Sequence, residues 1–161
     1  RDYKVTGVQT CALPIYATAF DHKKLQINGN YINGFSIGEK VSSVLKSMSV
    51  TNGTLKVLNS SKKEKKSTDI IATGDYITVY DADGKVFKQY QVVLYGDVDG
   101  DGEVNIFDHT EVKIHCWYAP SLAGAYLEAA NVDTSSEGVD IFDMVEIKIY
   151  MWYNGTIKQT R

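Results

Sequence analysis

The feature that most constrains this chain is an acidic loop, DVDGDGEVNIFD, at residues 97–108. Oxygen-bearing side chains stand at loop positions 1, 3, 5, 9 and 12, and a glycine stands at position 6. Ca²⁺ is a hard cation that takes six to eight oxygen ligands at about 2.3–2.6 Å, and a twelve-residue loop supplies them by wrapping around the ion. The pattern therefore predicts a calcium site with the ligands Asp97, Asp99, Asp101, Glu103 (through its backbone carbonyl), Asn105 and Asp108. The alternative is an acidic surface turn, but five acidic residues without Lys or Arg would repel one another unless a cation neutralised them.

The loop and the helix expected after it are repeated further along the chain. The segment EVKIHCWY at residues 111–118 aligns with EIKIYMWY at residues 146–153, and Ile106-Phe107-Asp108 aligns with Ile141-Phe142-Asp143. A duplicated loop and helix implies two units related by pseudo-two-fold symmetry, with their helices packed together.

The second loop departs from the first in length and in charge. Counted from Asn131 to Asp143 it has thirteen residues, with Asn and Ser where the first loop has aspartates at positions 1 and 5. A start at Asp133 aligns Glu137-Gly138 with Asp101-Gly102 but leaves the loop one residue short. We prefer the Asn131 start, which aligns Val132 and Asp133 with Val98 and Asp99. The candidate ligands are then Asn131, Asp133, Ser135, Asp140 and Asp143. Since calcium affinity follows ligand charge and geometry, the second site should be weaker than the first, or empty.

On these residues the chain resembles a dockerin, the tandem calcium-loop module that binds cohesin receptors. The resemblance covers residues 96 to about 157 and includes the run AANVD at residues 129–133, which is similar to the start of a dockerin's second repeat. It implies a non-catalytic, calcium-dependent interaction module on a secreted or surface bacterial protein linked to polysaccharide degradation. It also implies that the positions beside the last ligand contact the cohesin. Here these are Ile106, Phe107, Ile141 and Phe142, with the alternative that they are core residues.

The residues before the loop predict a small β-rich module with one helix. Val41, Val44, Leu45 and Met48 have helical spacing on one face, and the helix should end at Thr51-Asn52-Gly53. Tyr76–Tyr80 and Val86–Tyr95 predict a hairpin through the Asp-Gly pair at residues 83–84. The tyrosines of these strands admit a carbohydrate-binding alternative, although tyrosine also suits half-buried strand positions for packing.

These patterns predict an α+β chain: a β-rich module with one helix at residues 17–95, followed by an all-α dockerin-like module at residues 96–161. The all-α part includes a helix over residues 108–118 and another over residues 121–130. Residues 1–16 are excluded as a non-native or disordered segment, since they show no period and no signal-peptide pattern. Gly96 directly follows the last strand, so the two modules should be rigidly coupled.

Composition excludes several other classes. A formal net charge of -3 argues against a nucleic-acid partner, and no apolar run is long enough to span a membrane. The three histidines lack metalloprotease spacing or a nucleophile partner, so we expect no enzyme here, although a catalytic module such as a glycoside hydrolase could lie upstream. Cys11 and Cys116 are not expected to pair. The remaining alternatives are a calcium-stabilised structural cap without a separate partner, and a carbohydrate-binding β module with a dockerin tail.

Overall fold

The computed structural model describes residues 19–22, 24–136 and 138–161. The terminal segment 1–16 lies outside these ranges. In the described residues seven strands and four helices follow one another in the order β1 (Ala19–His22), β2 (Gln26–Asn28), β3 (Tyr31–Asn33), α1 (Val41–Ser47), β4 (Met48–Thr51), β5 (Gly53–Leu58), β6 (Tyr76–Asp81), β7 (Val86–Val92), α2 (Ile106–Trp117), α3 (Ala125–Ala130) and α4 (Ile141–Tyr153).

The larger of the two sheets has five strands in the order β2-β3-β7-β6-β5. β3 and β7 are parallel, and the other neighbours in this sheet are antiparallel. The predicted hairpin of β6 and β7 is confirmed. Its turn is closed by Asp81, whose Oδ1 accepts hydrogen bonds from the amides of Asp83 and Lys85. β1 and β4 form a separate antiparallel pair.

The main core lies between α1 and the five-stranded sheet. Val41 and Val44 of α1 are buried, as their spacing predicts, against Ile32, Ile77 and Val92 of the sheet. The helix ends earlier than expected, at Ser47, because Met48 begins β4 and pairs with His22 of β1. The prediction that the helix continues to Thr51 is therefore wrong: strand pairing replaces the last helical turn.

The predicted fold class is also wrong. The described chain is a mixed α/β structure with two sheets, and it does not divide into a β-rich module and an all-α module. Val93 and Tyr95, which follow β7, share a buried cluster with Ala125 and Ala129 of α3, and Ile157 packs against the same cluster. The small side chains of α3 let this helix pack against residues that follow the sheet, so the strands and helices of the two halves share a hydrophobic core.

The two repeat helices begin at matching capping boxes. Asn105 caps α2 and Asp140 caps α4, each accepting a hydrogen bond from the amide two residues on. The third helical residue, Asp108 or Asp143, accepts in return from the cap amide. Below them, Val112 of α2 and Ile147 of α4 are fully buried in a third cluster with Val98 and Ala130.

α3 is shorter than the expected helix over residues 121–130. It begins at Ala125, because Nδ1 of His115 accepts hydrogen bonds from the amides of Ser121 and Leu122, each at 3.1 Å. Those contacts hold the preceding segment against α2 in a non-helical conformation. None of the helices in the described ranges is long and apolar enough to cross a membrane.

Candidate metal centre

Three carboxylates of the first loop converge on one point. Asp97, Asp99 and Asp108 each present a carboxylate oxygen, and these oxygens all lie within 4.8 Å of one another. Asp97 and Asp108 are fully buried, whereas Asp99 is exposed to solvent. Oxygens that bind one Ca²⁺ at about 2.5 Å lie at most about 5 Å apart, so a single ion could contact all three. The donor set is oxygen alone, which suits a hard cation.

Backbone amides hold Asp97 in place. Its Oδ1 accepts from the amides of Gly100 and Asp101, each at 3.0 Å, and its Oδ2 accepts from the amide of Thr73 at 2.7 Å. Thr73 belongs to the segment between β5 and β6, which precedes the loop by 24 residues. The first candidate ligand is therefore held both by its own loop and by the segment between β5 and β6.

Asp108 closes the loop from the first turn of α2. Its Oδ1 accepts from the amides of Val98 and Asp99 at 2.6 and 3.1 Å, and its Oδ2 accepts from the amide of Asn105 at 2.7 Å. The beginning and the end of the loop are thus joined by one carboxylate.

The other predicted ligands of this loop lie outside the three-carboxylate cluster. Asp101 is exposed and accepts from the side-chain amide of Asn105 at 3.2 Å and from the backbone amide of Glu103 at 2.8 Å. Oδ1 of Asn105 is engaged as the cap of α2, accepting from Phe107 at 2.8 Å. Glu103 is exposed, and ligation through its carbonyl stays a prediction.

Burial makes the negative charge of this cluster costly. The pKa of Asp97 is raised to about 7, chiefly by desolvation and in smaller part by the neighbouring Asp108 and Asp101, against the opposing effect of the backbone amides. Burial likewise raises the pKa of Asp108 to about 6. Neither of the two ion pairs found in the described ranges involves these carboxylates. A bound cation would supply the missing compensation.

Two loop glycines are required because the loop packs closely against the segment between β5 and β6. Gly100 and Gly102 have φ of 80° and 88°, a region that glycine favours. A Cβ on Gly100 would lie 2.8 Å from the carbonyl oxygen of Thr73, and one on Gly102 would lie 2.7 Å from that of Ile71. The carbonyl of Gly102 also accepts from the amide of Gly38 at 3.0 Å. The loop therefore packs closely against the segments that contain Gly38, Ile71 and Thr73, and Asp108 joins it to α2.

The second loop repeats the closing arrangement but not the cluster. Asp143 accepts from the amides of Asp133 and Asp140, each at 2.7 Å, as Asp108 does from Asp99 and Asn105. Ser135 donates its hydroxyl and its amide to Asp133. Within the described ranges, which omit residue 137, the second loop contributes no group of three convergent carboxylates. Its first position, Asn131, accepts instead from the guanidinium of Arg161 at 3.3 Å.

The four residues predicted to contact a partner are exposed. The exposed fractions are 47% for Ile106, 66% for Phe107, 46% for Ile141 and 59% for Phe142. The alternative, that these side chains are core residues, does not agree with their exposure.

Sequence reasoning missed a second set of exposed apolar residues at the ends of the repeat helices. Trp117 and Trp152 are 53% and 59% exposed, and the tyrosines that follow them, Tyr118 and Tyr153, are 77% and 72% exposed. Trp152 and Ile106 line the same groove, so the end of α4 lies beside the start of α2. The repeat alignment carried the signal, because it shows a Trp-Tyr pair at the end of both helices.

Comparisons with known proteins add no relative: no protein-family model, no curated protein and no solved structure matches this chain.

Proposed function

We propose that this chain is a non-catalytic, calcium-dependent protein interaction module of the dockerin type, and that it binds a cohesin-type partner through α2 and α4. The observation that carries the proposal is the convergence of three carboxylates, two of them fully buried, in a loop with calcium-ligand spacing. Asp97, Asp99 and Asp108 would hold the ion in the first loop, and its charge would stabilise buried carboxylates that otherwise repel one another. The second loop, with fewer convergent carboxylates, is the weaker site.

The exposed apolar residues of α2 and α4 support a protein partner. Soluble monomers rarely expose contiguous large apolar patches, and such patches mark interaction surfaces. Lys113 and Lys148 occupy equivalent positions in the repeat, and each places its ammonium near the Trp four residues on, at 5.9 and 5.4 Å from the ring centroid. The partner surface would be apolar, with aromatic anchors of the kind enriched at interface hot spots. The module would belong to a secreted or surface bacterial protein, where millimolar calcium suits sites of modest affinity.

Calorimetry with a panel of cohesins tests this proposal, with excess calcium in one series and a chelator in the other. We expect binding to at least one cohesin in calcium and none in chelator. The test variant is Asp99→Asn, which removes one exposed carboxylate of the cluster and leaves the buried Asp97 and Asp108 in place. It should lose the tighter calcium transition and, with it, calcium-dependent cohesin binding.

Two results would redirect the proposal. Tight calcium binding without any cohesin binding would favour the alternative, a structural cap that calcium stabilises, which the anchoring of the loop to Thr73 and Gly38 would serve. Absence of calcium binding would remove the proposal altogether.

A further inference from the structure

The residues that follow α4 run back to Tyr95 and to the start of the second loop. We call residues 155–161 the C-terminal strap. Gln159 pairs with both backbone groups of Tyr95: its Oε1 accepts from the amide at 2.9 Å, and its Nε2 donates to the carbonyl at 2.8 Å. Ile157 packs against the two smaller hydrophobic clusters. These contacts carry the end of the strap to the beginning of the second loop.

Arg161 ends the strap between Tyr95 and that loop. Its guanidinium lies 4.5 Å from the centroid of the Tyr95 ring, and its Nη1 donates to Oδ1 of Asn131 at 3.3 Å. Its charge reaches Asp133 as well: the pKa of Asp133 is lowered first by the hydrogen bond from Ser135 and in smaller part by Arg161.

The two loops therefore differ in the groups that contact the residue at their first position. In the first loop Asp97 is a carboxylate surrounded by backbone amides, and neither ion pair of the described ranges reaches it. In the second loop Asn131 is a neutral amide whose oxygen is bound by a side-chain cation. The same position that offers a charged oxygen to an ion in one repeat is engaged by a guanidinium in the other.

We infer that Arg161 sets the calcium affinity of the second loop, acting as an internal cation that must leave Asn131 before calcium can use that oxygen. This inference rests on the proposed function, since it assumes that the loops take calcium. The guanidinium and the ion compete for one oxygen, and they repel each other across the loop.

The guanidinium of Arg161 is incompletely satisfied where it docks, which favours such competition. Nε and Nη2 of Arg161 are buried and have no hydrogen-bond partner in the described ranges, so the docked guanidinium has lost water that the protein does not fully replace. By linkage, if docking of the strap weakens calcium at the second loop, calcium there must loosen the strap by the same factor.

The test is calcium titration of the full chain by calorimetry, with the two loops assigned through the NMR amide signals of Gly102 and Gly138, one in each loop. Arg161→Gln should strengthen calcium binding at the second loop by at least about fivefold, the lower end of typical coupling between sites, and leave the first loop unchanged. Lys158→Gln is the matched control, because it removes the same charge from an exposed residue of the strap. We expect it to change either loop by less than about twofold, as a screened surface charge does.

Hydrogen exchange of the wild-type protein gives an independent readout that does not depend on the folding of any variant. The amide of Tyr95, which donates to Oε1 of Gln159 in the docked strap, should lose protection as the second loop fills. Unchanged or increased protection on saturation would overturn the inference, as would equal effects of Arg161→Gln and Lys158→Gln. Should the first loop bind calcium while the second loop ignores Arg161→Gln, this inference fails alone. Should neither loop bind calcium, the proposed function fails with it.

Discussion

Removing the charge at Asp97 should reduce the pH dependence of stability in the metal-free protein. The pKa of Asp97 is raised to about 7 from an ordinary value of 3.8, chiefly by burial. The folded chain therefore binds this proton more tightly than the unfolded chain does, and the free energy of unfolding is greatest below the unfolded pKa and falls as the pH rises towards 7. Since one pKa unit is worth about 1.4 kcal/mol, the loss between about pH 4 and pH 8 is about 4 kcal/mol for this carboxyl alone.

Asp97→Asn separates that cost from the other acids of the loop. The variant keeps one acceptor oxygen but leaves amides without a partner, which should cost about 1–3 kcal/mol. In chelator it should be less stable than wild type at about pH 4 and as stable or more stable at about pH 8, where the ionised carboxylate of wild type costs more. Asp108, whose pKa is raised in the same direction, contributes to the profiles of both proteins. Because its charge interacts with that of Asp97, its contribution is smaller in the variant, which adds to the difference between the two profiles.

Urea unfolding between about pH 4 and pH 8, with chelator and with calcium, measures these differences. With calcium, wild type should gain about 4 kcal/mol at a thousandfold excess over its dissociation constant, and the variant should gain little from the first loop. A metal-free wild type that becomes more stable as the pH rises, or a variant with the same pH profile as wild type, would refute the reasoning.

Three further predictions concern the loop and the helix surface. Gly102→Ala should destabilise the chain by about 1–3 kcal/mol in thermal unfolding and weaken calcium binding, because its Cβ would lie 2.7 Å from the carbonyl oxygen of Ile71. Gly84→Ala, also at positive φ but in open space, should cost about 1 kcal/mol, and equal losses would argue against close packing at the loop. Phe107→Ala should weaken cohesin binding by about 1–3 kcal/mol, and more than Phe142→Ala does, in calorimetry with calcium binding intact; negligible losses in both would place the partner surface elsewhere. Asp99→Asn should abolish the tighter of two calcium transitions, whereas survival of that transition would reverse the ranking of the loops.

Much of this structure could be predicted from the sequence, because local interactions determine it. The Asp-Gly pair at residues 83–84 sets a turn within a few residues, and the spacing of Val41 and Val44 shows which face of α1 is buried. The convergence of the first-loop carboxylates follows in the same way, because Asp108 bonds to amides at most ten residues away. Such contacts depend on backbone geometry over one loop or one helical turn, and residue types at fixed offsets record them.

Only the tertiary structure decided which surfaces meet. Nothing in the spacing of residues indicates that Thr73 donates to Asp97, that β3 runs parallel to β7, or that Arg161 reaches Asn131 across 30 positions. The sequence pattern of an apolar helix face or of a short alanine-rich helix is compatible with packing against the other repeat helix and equally with packing against a sheet. The expectation of a separate all-α half therefore failed at α3, whose Ala125 and Ala129 pack with Val93 and Tyr95 after β7. Hydrophobic burial is not directional, and the choice among compatible partners belongs to the whole chain rather than to any segment of it.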